Sequence, residues 1–320
     1  MSGASDLGSP IDVHHWERPD HSQELATAMR NEDPDGSVFA RLFRQSFDQI
    51  YDGQNTGRYS ISQLSKTESA HIGSIVEINI RRAFDGFIRD GMVMDFDILG
   101  HEVDCKYSKA PFGWMIPSEA LGHHAMVCHA DDDKGMWRVG FVQISDDILT
   151  RGGNRDGKRT ISSQGRANIS WAFYDEPLIP NTLLQLSSED RRAILNPKSG
   201  QARINELFRR AQQRLIPRGI IATVAQQKDY MKRVRGNGGA RSALAAEGIV
   251  ILGDYKAHRL IAETLELPVP GPGDSVAVRL VPSEPNAPHP CIELEGQRWR
   301  VAEGSDPIHH APAIVYTGSR

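Results

Sequence analysis

The chain has 320 residues, 39% hydrophobic and 24% charged, with a formal net charge of −4. That length predicts two domains with a core each, and the charge excludes a uniformly cationic, nucleic-acid-coating surface. No run of about eighteen apolar residues is present, which excludes a membrane-spanning helix, and residues 1–10 lack the basic start and apolar stretch of a signal peptide.

Residues 1–36 are rich in Ser, Asp, Pro and His and read as a flexible N-terminal arm. Val38, Phe39, Leu42, Phe43 and Phe47 then recur at three- and four-residue spacing. That is a helical pattern, and it stops at the turn Tyr51-Asp52-Gly53-Gln54-Asn55. Ser65 or Thr67 is placed to cap a second helix reaching Phe87, with Ile72, Val76, Ile80, Phe84 and Phe87 as its buried stripe. Strands follow over residues 92–99 and 102–107, joined at Gly100-His101. Two more span residues 125–129 and 136–144, around the acidic turn Asp131-Asp132-Asp133-Lys134-Gly135. Helices followed by a mixed or antiparallel sheet predict a compact α/β domain over residues 37–167.

Gly, Ser, Asn and Pro become frequent between residues 152 and 180, which puts a linker at residues 168–176. The second domain, residues 177–320, is predicted helical over 188–244 with a break at Pro217-Arg218-Gly219. Strand-like pieces at 249–252, 275–281 and 291–301 close it. Residues 198–241 carry eleven basic side chains against two acidic ones, Glu206 and Asp229, so the two halves differ in charge. Arg209, Arg210, Arg214, Arg218, Lys228, Lys232, Arg233, Arg235 and Arg241 are candidate contacts to phosphates and guanine edges. The same run also fits a solvated helical face. Basic helices followed by short strands suit a winged helix-turn-helix module.

Other groupings carry less chemistry. Gly236-Asn237-Gly238-Gly239-Ala240-Arg241-Ser242 lacks the Gly-Lys-Ser/Thr ending of a nucleotide phosphate loop. His123-His124 and His309-His310 sit at no zinc spacing with a cysteine pair, and Asp131-Asp132-Asp133 reads as a strand-connecting turn rather than a calcium site. Cys105, Cys128 and Cys291 are too few and too scattered for a disulfide framework, which predicts a cytoplasmic protein.

The acidic residues of the first half are more informative. Alternation along Glu102-Val103-Asp104-Cys105-Lys106 sends Asp104 and Lys106 to one face. If Gly100-His101 is a two-residue turn, position 97 pairs with 104 and 95 with 106, so Asp95, Asp97, Asp104 and Lys106 share that face. Glu77 lies on the same helix face as Ile80 and Phe84, where a carboxylate is costly unless paired or bound to metal. Hard oxygen ligands of this kind hold Mg²⁺, and a lysine two positions beyond one of them offsets charge at a scissile phosphate. An Asp-x-Lys triplet taken alone also occurs by chance on exposed strands.

The segment 95–106, ending Val103-Asp104-Cys105-Lys106, resembles the catalytic segment of the NaeI family of type IIE restriction endonucleases. The resemblance extends over Asp48-Gln49-Ile50-Tyr51-Asp52-Gly53-Gln54 with Thr56-Gly57-Arg58, over Lys66-Thr67-Glu68 and over Val76-Glu77-Ile78-Asn79. In the second half it continues through Asn205-Glu206-Leu207-Phe208-Arg209-Arg210, Ile221-Ala222-Thr223-Val224-Ala225-Gln226-Gln227, Met231-Lys232-Arg233-Val234-Arg235 and Gly238-Gly239-Ala240-Arg241-Ser242. Residues 81–94 depart from the family pattern.

The resemblance implies a restriction-endonuclease-like α/β domain of the dispersed acidic–Asp-x-Lys type, then a catabolite-activator-like winged helix-turn-helix domain. It places catalytic roles on Glu77, Asp95, Asp104 and Lys106, with Thr67 as an accessory position, and Mg²⁺ on Glu77, Asp95 and Asp104. It further implies a homodimer that binds duplex DNA as substrate and as allosteric effector, cuts GCCGGC to blunt ends, and has a cognate DNA methyltransferase. A DNA-binding regulator without cleavage and a repair nuclease of the same fold are the competing expectations. Nucleic-acid ligation is excluded, because Ile50 stands where the nucleophilic lysine of Lys-x-Asp-Gly would be.

Overall fold

A computed structural model describes residues 19–284 and 288–314 of the chain. Residues 1–18, half of the expected arm, lie outside them. The other half is not loose. Helix α1 (Ser22–Glu32) buries Leu25, Ala26 and Met29, a short apolar stripe masked by its polar composition. It is fastened to the sheet by Arg30, which donates to the carbonyl of Ala172 and lies 4.7 Å from the ring centre of Phe173.

Helix α2 (Ser37–Tyr51) starts where the buried Asp33 accepts the N–H groups of Val38 (3.1 Å) and Phe39 (3.0 Å). A carboxylate there complements the positive end of the helix. Phe39, Phe43 and Phe47 form its buried side. A single turn, α3 (Gly53–Thr56), precedes α4 (Lys66–Ala83). Ser65 is the cap of α4: its hydroxyl accepts the N–H of Glu68, whose carboxylate accepts the N–H of Ser65 at 2.9 Å. Thr67 sits in the first turn instead.

One six-stranded sheet follows in chain order: β1 (Ile88–Asp90), β2 (Phe96–Ile98), β3 (His101–Ser108), β4 (His124–Asp131), β5 (Met136–Gln143) and β6 (Ser170–Pro177). Only β3 and β4 run parallel. The helices and one sheet face enclose the Phe39, Phe43, Phe47 and Trp137 core, while Trp114, Ile116, Ile148 and Ile161 pack on the other face. Strand β6 occupies residues expected to be a linker. Gly, Ser and Asn before it dilute the pattern, yet Ala172 and Phe173 are buried against β5. The first sheet therefore reaches Pro177, and Leu178 still packs in its core.

The second half holds α5 (Thr182–Gln185), α6 (Ser188–Leu195), α7 (Gly200–Arg210), β7 (Leu215–Ile216), α8 (Arg218–Ala225), α9 (Ala240–Ala245) and β8 (Ile249–Gly253). Then come α10 (Lys256–Thr264), β9 (Ser275–Pro282), β10 (Cys291–Leu294) and β11 (Gln297–Val301). Strands β7 and β8 both pair antiparallel with the first residues of β9, and β11 pairs with its last ones.

A polar knot joins the halves. Asp132, from the acidic turn after β4, is 4% exposed. It accepts from Arg44 (2.6 Å), Tyr51 (2.8 Å) and Asn181 (3.1 Å), and Asn181 also donates to the carbonyl of Tyr59 at 2.7 Å. No helix among the described residues is long and apolar enough to cross a membrane.

Candidate active site

The hairpin β2–β3 is the scaffold. Its turn is Leu99-Gly100, with φ of +55° and +83°, the pair of left-handed residues that a type I′ turn needs. The expected turn lay one position later. The observed register is Phe96 opposite Val103, Asp97 opposite Glu102 and Ile98 opposite His101. Moving a two-residue turn by one position shifts every pairing by two, so each side chain keeps its face. Asp95 thus lies level with Asp104 rather than with Lys106.

Strand β2 ends at Phe96, and Asp95 turns its carboxylate onto the freed edge of β3, accepting the N–H of Cys105 at 2.8 Å. The ammonium of Lys106 donates to Asp104 and lies 3.7 Å from Asp95. Glu77, two turns before the end of α4, faces this group and is bracketed by Arg81 at 3.6 Å. Arg81 also donates to the carbonyl of Asp95 (2.8 Å) and pairs with Asp90 (2.8 Å). Of the five expected catalytic positions, four meet here: Glu77, Asp95, Asp104 and Lys106.

Thr67 does not join them. It is ten residues from Glu77, or about 15 Å along the helix and roughly 80° around it. Asp97, expected on the same face, instead accepts the N–H of Gly100 at 3.1 Å and steadies the turn. Two contributors were not anticipated. Arg81 stands four residues beyond Glu77, a spacing that signals an ion pair. Glu102 accepts the N–H groups of Met92 (2.8 Å), Val93 (3.0 Å) and Met94 (2.7 Å), which fixes the loop leading into Asp95. Its role has no sequence signal, because it acts on backbone.

The electrostatics are those of a depot for positive charge. Burial raises the pKa of Asp104 above the ordinary carboxylate value despite the opposing pull of Lys106. Burial and then the nearby Asp95 raise Glu77, against Arg81. Burial works against the charge on Lys106, but Asp104 and Asp95 outweigh it and its pKa is raised. One oxygen of Asp104 is buried with no hydrogen-bond partner among the described residues. An unsatisfied buried carboxylate oxygen, beside two further carboxylates, fits a hard divalent cation of the Mg²⁺ class.

The basic candidates of the second half fall into two groups. Arg209 is held by Glu247 and Glu206 (2.7 Å each), and Arg210 by Asp190 (2.8 Å) and Glu206 (3.1 Å). The pairs to Asp190 and Glu247 fasten α7 to α6 and to the turn after α9, while those to Glu206 lie within α7. Arg214, Arg218, Lys228, Lys232 and Arg235 are exposed, although Lys232 is paired with Asp229 at 2.9 Å. Arg233 donates to Gln227 at 2.6 Å, and Arg241 to the carbonyl of Ile251 at 3.1 Å. Arg218, Arg235 and Arg241 line one cleft of 430 Å³ with Tyr255.

Two comparisons bear on this arrangement. The sequence model of the family described as restriction endonuclease NaeI matches residues 23–310. A relative, the type II restriction enzyme NaeI of Lentzea aerocolonigenes, is 44% identical over 305 residues, covering 93% of this chain and 95% of that enzyme.

Proposed function

The chain belongs to the NaeI restriction endonuclease family and is a type II site-specific deoxyribonuclease, and we propose that it hydrolyses duplex DNA at Glu77, Asp95, Asp104 and Lys106 with Mg²⁺. The observation that carries this reading is the buried, unpartnered oxygen of Asp104 beside Asp95 and the Lys106 ammonium. Asp95, Asp104 and Glu77 would hold the cation. When bound, Mg²⁺ supplies Lewis-acid stabilisation of charge on the phosphate and acidifies water.

The chain's own groups do the positioning. The raised pKa of Lys106 keeps its ammonium charged across the neutral range, so it offsets negative charge gathering on the scissile phosphate. Its bond to Asp104 fixes which carboxylate oxygen remains free. The N–H of Cys105 holds the carboxylate of Asp95 in place before substrate arrives. Such preorganisation lowers the barrier without reorganisation during reaction.

The finer reading extends to the whole chain. The order α7, β7, α8, α9, β8, α10, β9, with β7 and β8 flanking β9, supports a winged helix-turn-helix in the second half. Exposed Arg214, Arg218, Lys228 and Arg235 supply its phosphate contacts. The protein acts in the cytoplasm as a homodimer whose two-fold axis matches a palindromic site. That site is GCCGGC, cut to blunt ends, with a second DNA site bound as activator and a cognate methyltransferase protecting the host.

The test is digestion of a supercoiled plasmid carrying several GCCGGC sites, with Mg²⁺ or EDTA, and Asp104→Ala in parallel. The expected result is discrete Mg²⁺-dependent fragments ending within those sites, absent from the variant. Fragments at another sequence would overturn the specificity. Cutting that survives EDTA, or survives in folded Asp104→Ala, would overturn the assigned centre.

A further inference from the structure

Three histidines and a glutamate converge on the first domain, away from the acidic cluster. The rings of His21 and His101 stack with centroids 4.2 Å apart, and His124 meets His101 edge-on at 5.6 Å. His21 lies at the start of α1, Glu24 in its first turn, and His101 opens β3 directly after the Leu99-Gly100 turn. Glu24 Oε2 is 2.7 Å from His21 Nδ1 and 3.9 Å from His101 Nε2. All three ligand atoms lie within 4.8 Å of one another.

We infer that His21, Glu24 and His101 form a second metal site, selective for a borderline transition ion such as Zn²⁺, that staples α1 to the catalytic hairpin. Two imidazoles and one carboxylate suit Zn²⁺ and its neighbours, whereas Mg²⁺ prefers oxygen donors and water. Around a tetrahedral ion with bonds of about 2.0–2.1 Å, ligand atoms stand about 3.3 Å apart. Shifts of about 0.6 Å bring Glu24 to that distance from both histidines. The fourth position is left for water. His124 is not a ligand, because its Nε2 already accepts the N–H of His21 at 3.1 Å; it fixes the backbone from which His21 projects.

The position gives the staple a purpose. His101 is three residues before Asp104 on the same strand, and α1 otherwise leans on the far strands β5 and β6. A metal here ties that helix to the hairpin that carries Asp95 and Asp104. The pattern is invisible along the chain, since its ligands are 80 residues apart.

The test uses the full, tag-free chain, stripped with EDTA and returned to saturating Mg²⁺, then titrated with Zn²⁺ by calorimetry and followed by thermal melting. One equivalent of Zn²⁺ is expected to bind and to raise the melting temperature. Binding should weaken by more than the roughly tenfold to hundredfold that loss of an outer-shell partner costs in His101→Ala. The exposed Glu24→Gln decides the matter should His101→Ala misfold, and it should lose both the equivalent and the thermal shift. Asp104→Asn and His309→Ala/His310→Ala should keep the equivalent, which separates this site from the hydrolytic cluster and from casual histidine binding. Absence of stoichiometric binding in the unaltered chain, or binding unchanged in Glu24→Gln, overturns the proposal.

Discussion

The carboxylate of Asp95 and the backbone N–H of Cys105 are hydrogen-bonded at 2.8 Å, so a side chain takes over where the β2–β3 ladder stops. The bond does two things at once. It satisfies a buried backbone donor, and it holds a negative charge level with Asp104. The two roles separate by substitution. Asp95→Asn keeps an acceptor for Cys105 but loses the charge. It is expected to fold normally and to cleave at least about a thousandfold more slowly, the scale of several kcal/mol of lost electrostatic stabilisation. Asp95→Ala strands the Cys105 N–H as well, and should lose about 1–3 kcal/mol of stability besides. Single-turnover cleavage and urea unfolding of both variants check this; equal stability of the two would refute the structural half.

Asp104 predicts a trade between stability and activity. Its pKa is raised in the folded protein, burial being the main cause, so the folded state binds the proton more tightly than the unfolded one. Stability from this group is then present at low pH, and it is lost as pH rises from the ordinary aspartate value through the folded one. At neutral pH without metal, Asp104→Asn should melt higher than the unaltered chain. Adding Mg²⁺ should reverse that order, because only the unaltered chain keeps the full carboxylate set. Melting curves at pH 7 with EDTA and with Mg²⁺ decide it. A variant less stable than the parent in EDTA would show that the tie to Lys106 outweighs the burial.

How much of this was legible in the sequence depends on whether the information is local. The faces of Asp95, Asp104 and Lys106 were readable even though the turn was placed one residue late, because strand parity survives a two-residue shift in register. The cap of α4 was readable only as Ser65 or Thr67, and the reciprocal bonds of Ser65 with Glu68 decide between them. Helix α1 and strand β6 were not readable: each buries only a few apolar residues among many polar ones, β6 pairs with β5 across a Gly-, Ser- and Asn-rich stretch, and α1 is fastened to Ala172 from far along the chain. As a catalytic position Thr67 entered through family resemblance alone, and its place in the first turn of α4 carries it away from the cluster. Glu102 and Asp132 were missed because both act through long-range or backbone bonds that no spacing encodes.

The knot at Asp132 makes the strongest stability prediction. Arg44 is 5% exposed, and although burial opposes its charge, Asp48 and Asp132 raise its pKa and keep it ionised. Asp132→Ala leaves that guanidinium buried beside only Asp48 and also frees Tyr51 and Asn181. Removing one member of such a buried pair costs about 3–5 kcal/mol. Equilibrium urea unfolding should show a loss of that size, and the double variant Arg44→Met/Asp132→Ala should recover part of it. A loss under about 1 kcal/mol, the value of an exposed pair, would mean the knot contributes contacts but not stability.

The contact of α2 and α3 with α8 across the two halves depends on glycine. A Cβ on Gly219 would lie 2.1 Å from a carboxylate oxygen of Asp48, and one on Gly53 would lie 2.0 Å from the hydroxyl of Thr223. Neither glycine has a positive φ, so the requirement is space rather than backbone freedom. Asp48 cannot swing aside freely, because it accepts from Arg44 at 3.0 Å, and Thr223 is held by its bond to the carbonyl of Gly219 at 2.8 Å. Gly219→Ala should therefore force α8 outward and cost about 1–3 kcal/mol, the range for overpacking. Its signature is a change in coupling as well as in stability. Limited proteolysis should cut faster in residues 179–181, which join Leu178 to α5. Gly219→Ala with unaltered melting and unaltered cutting there would mean that the two helices have room to slide, and that the halves are joined by the Asp132 knot alone.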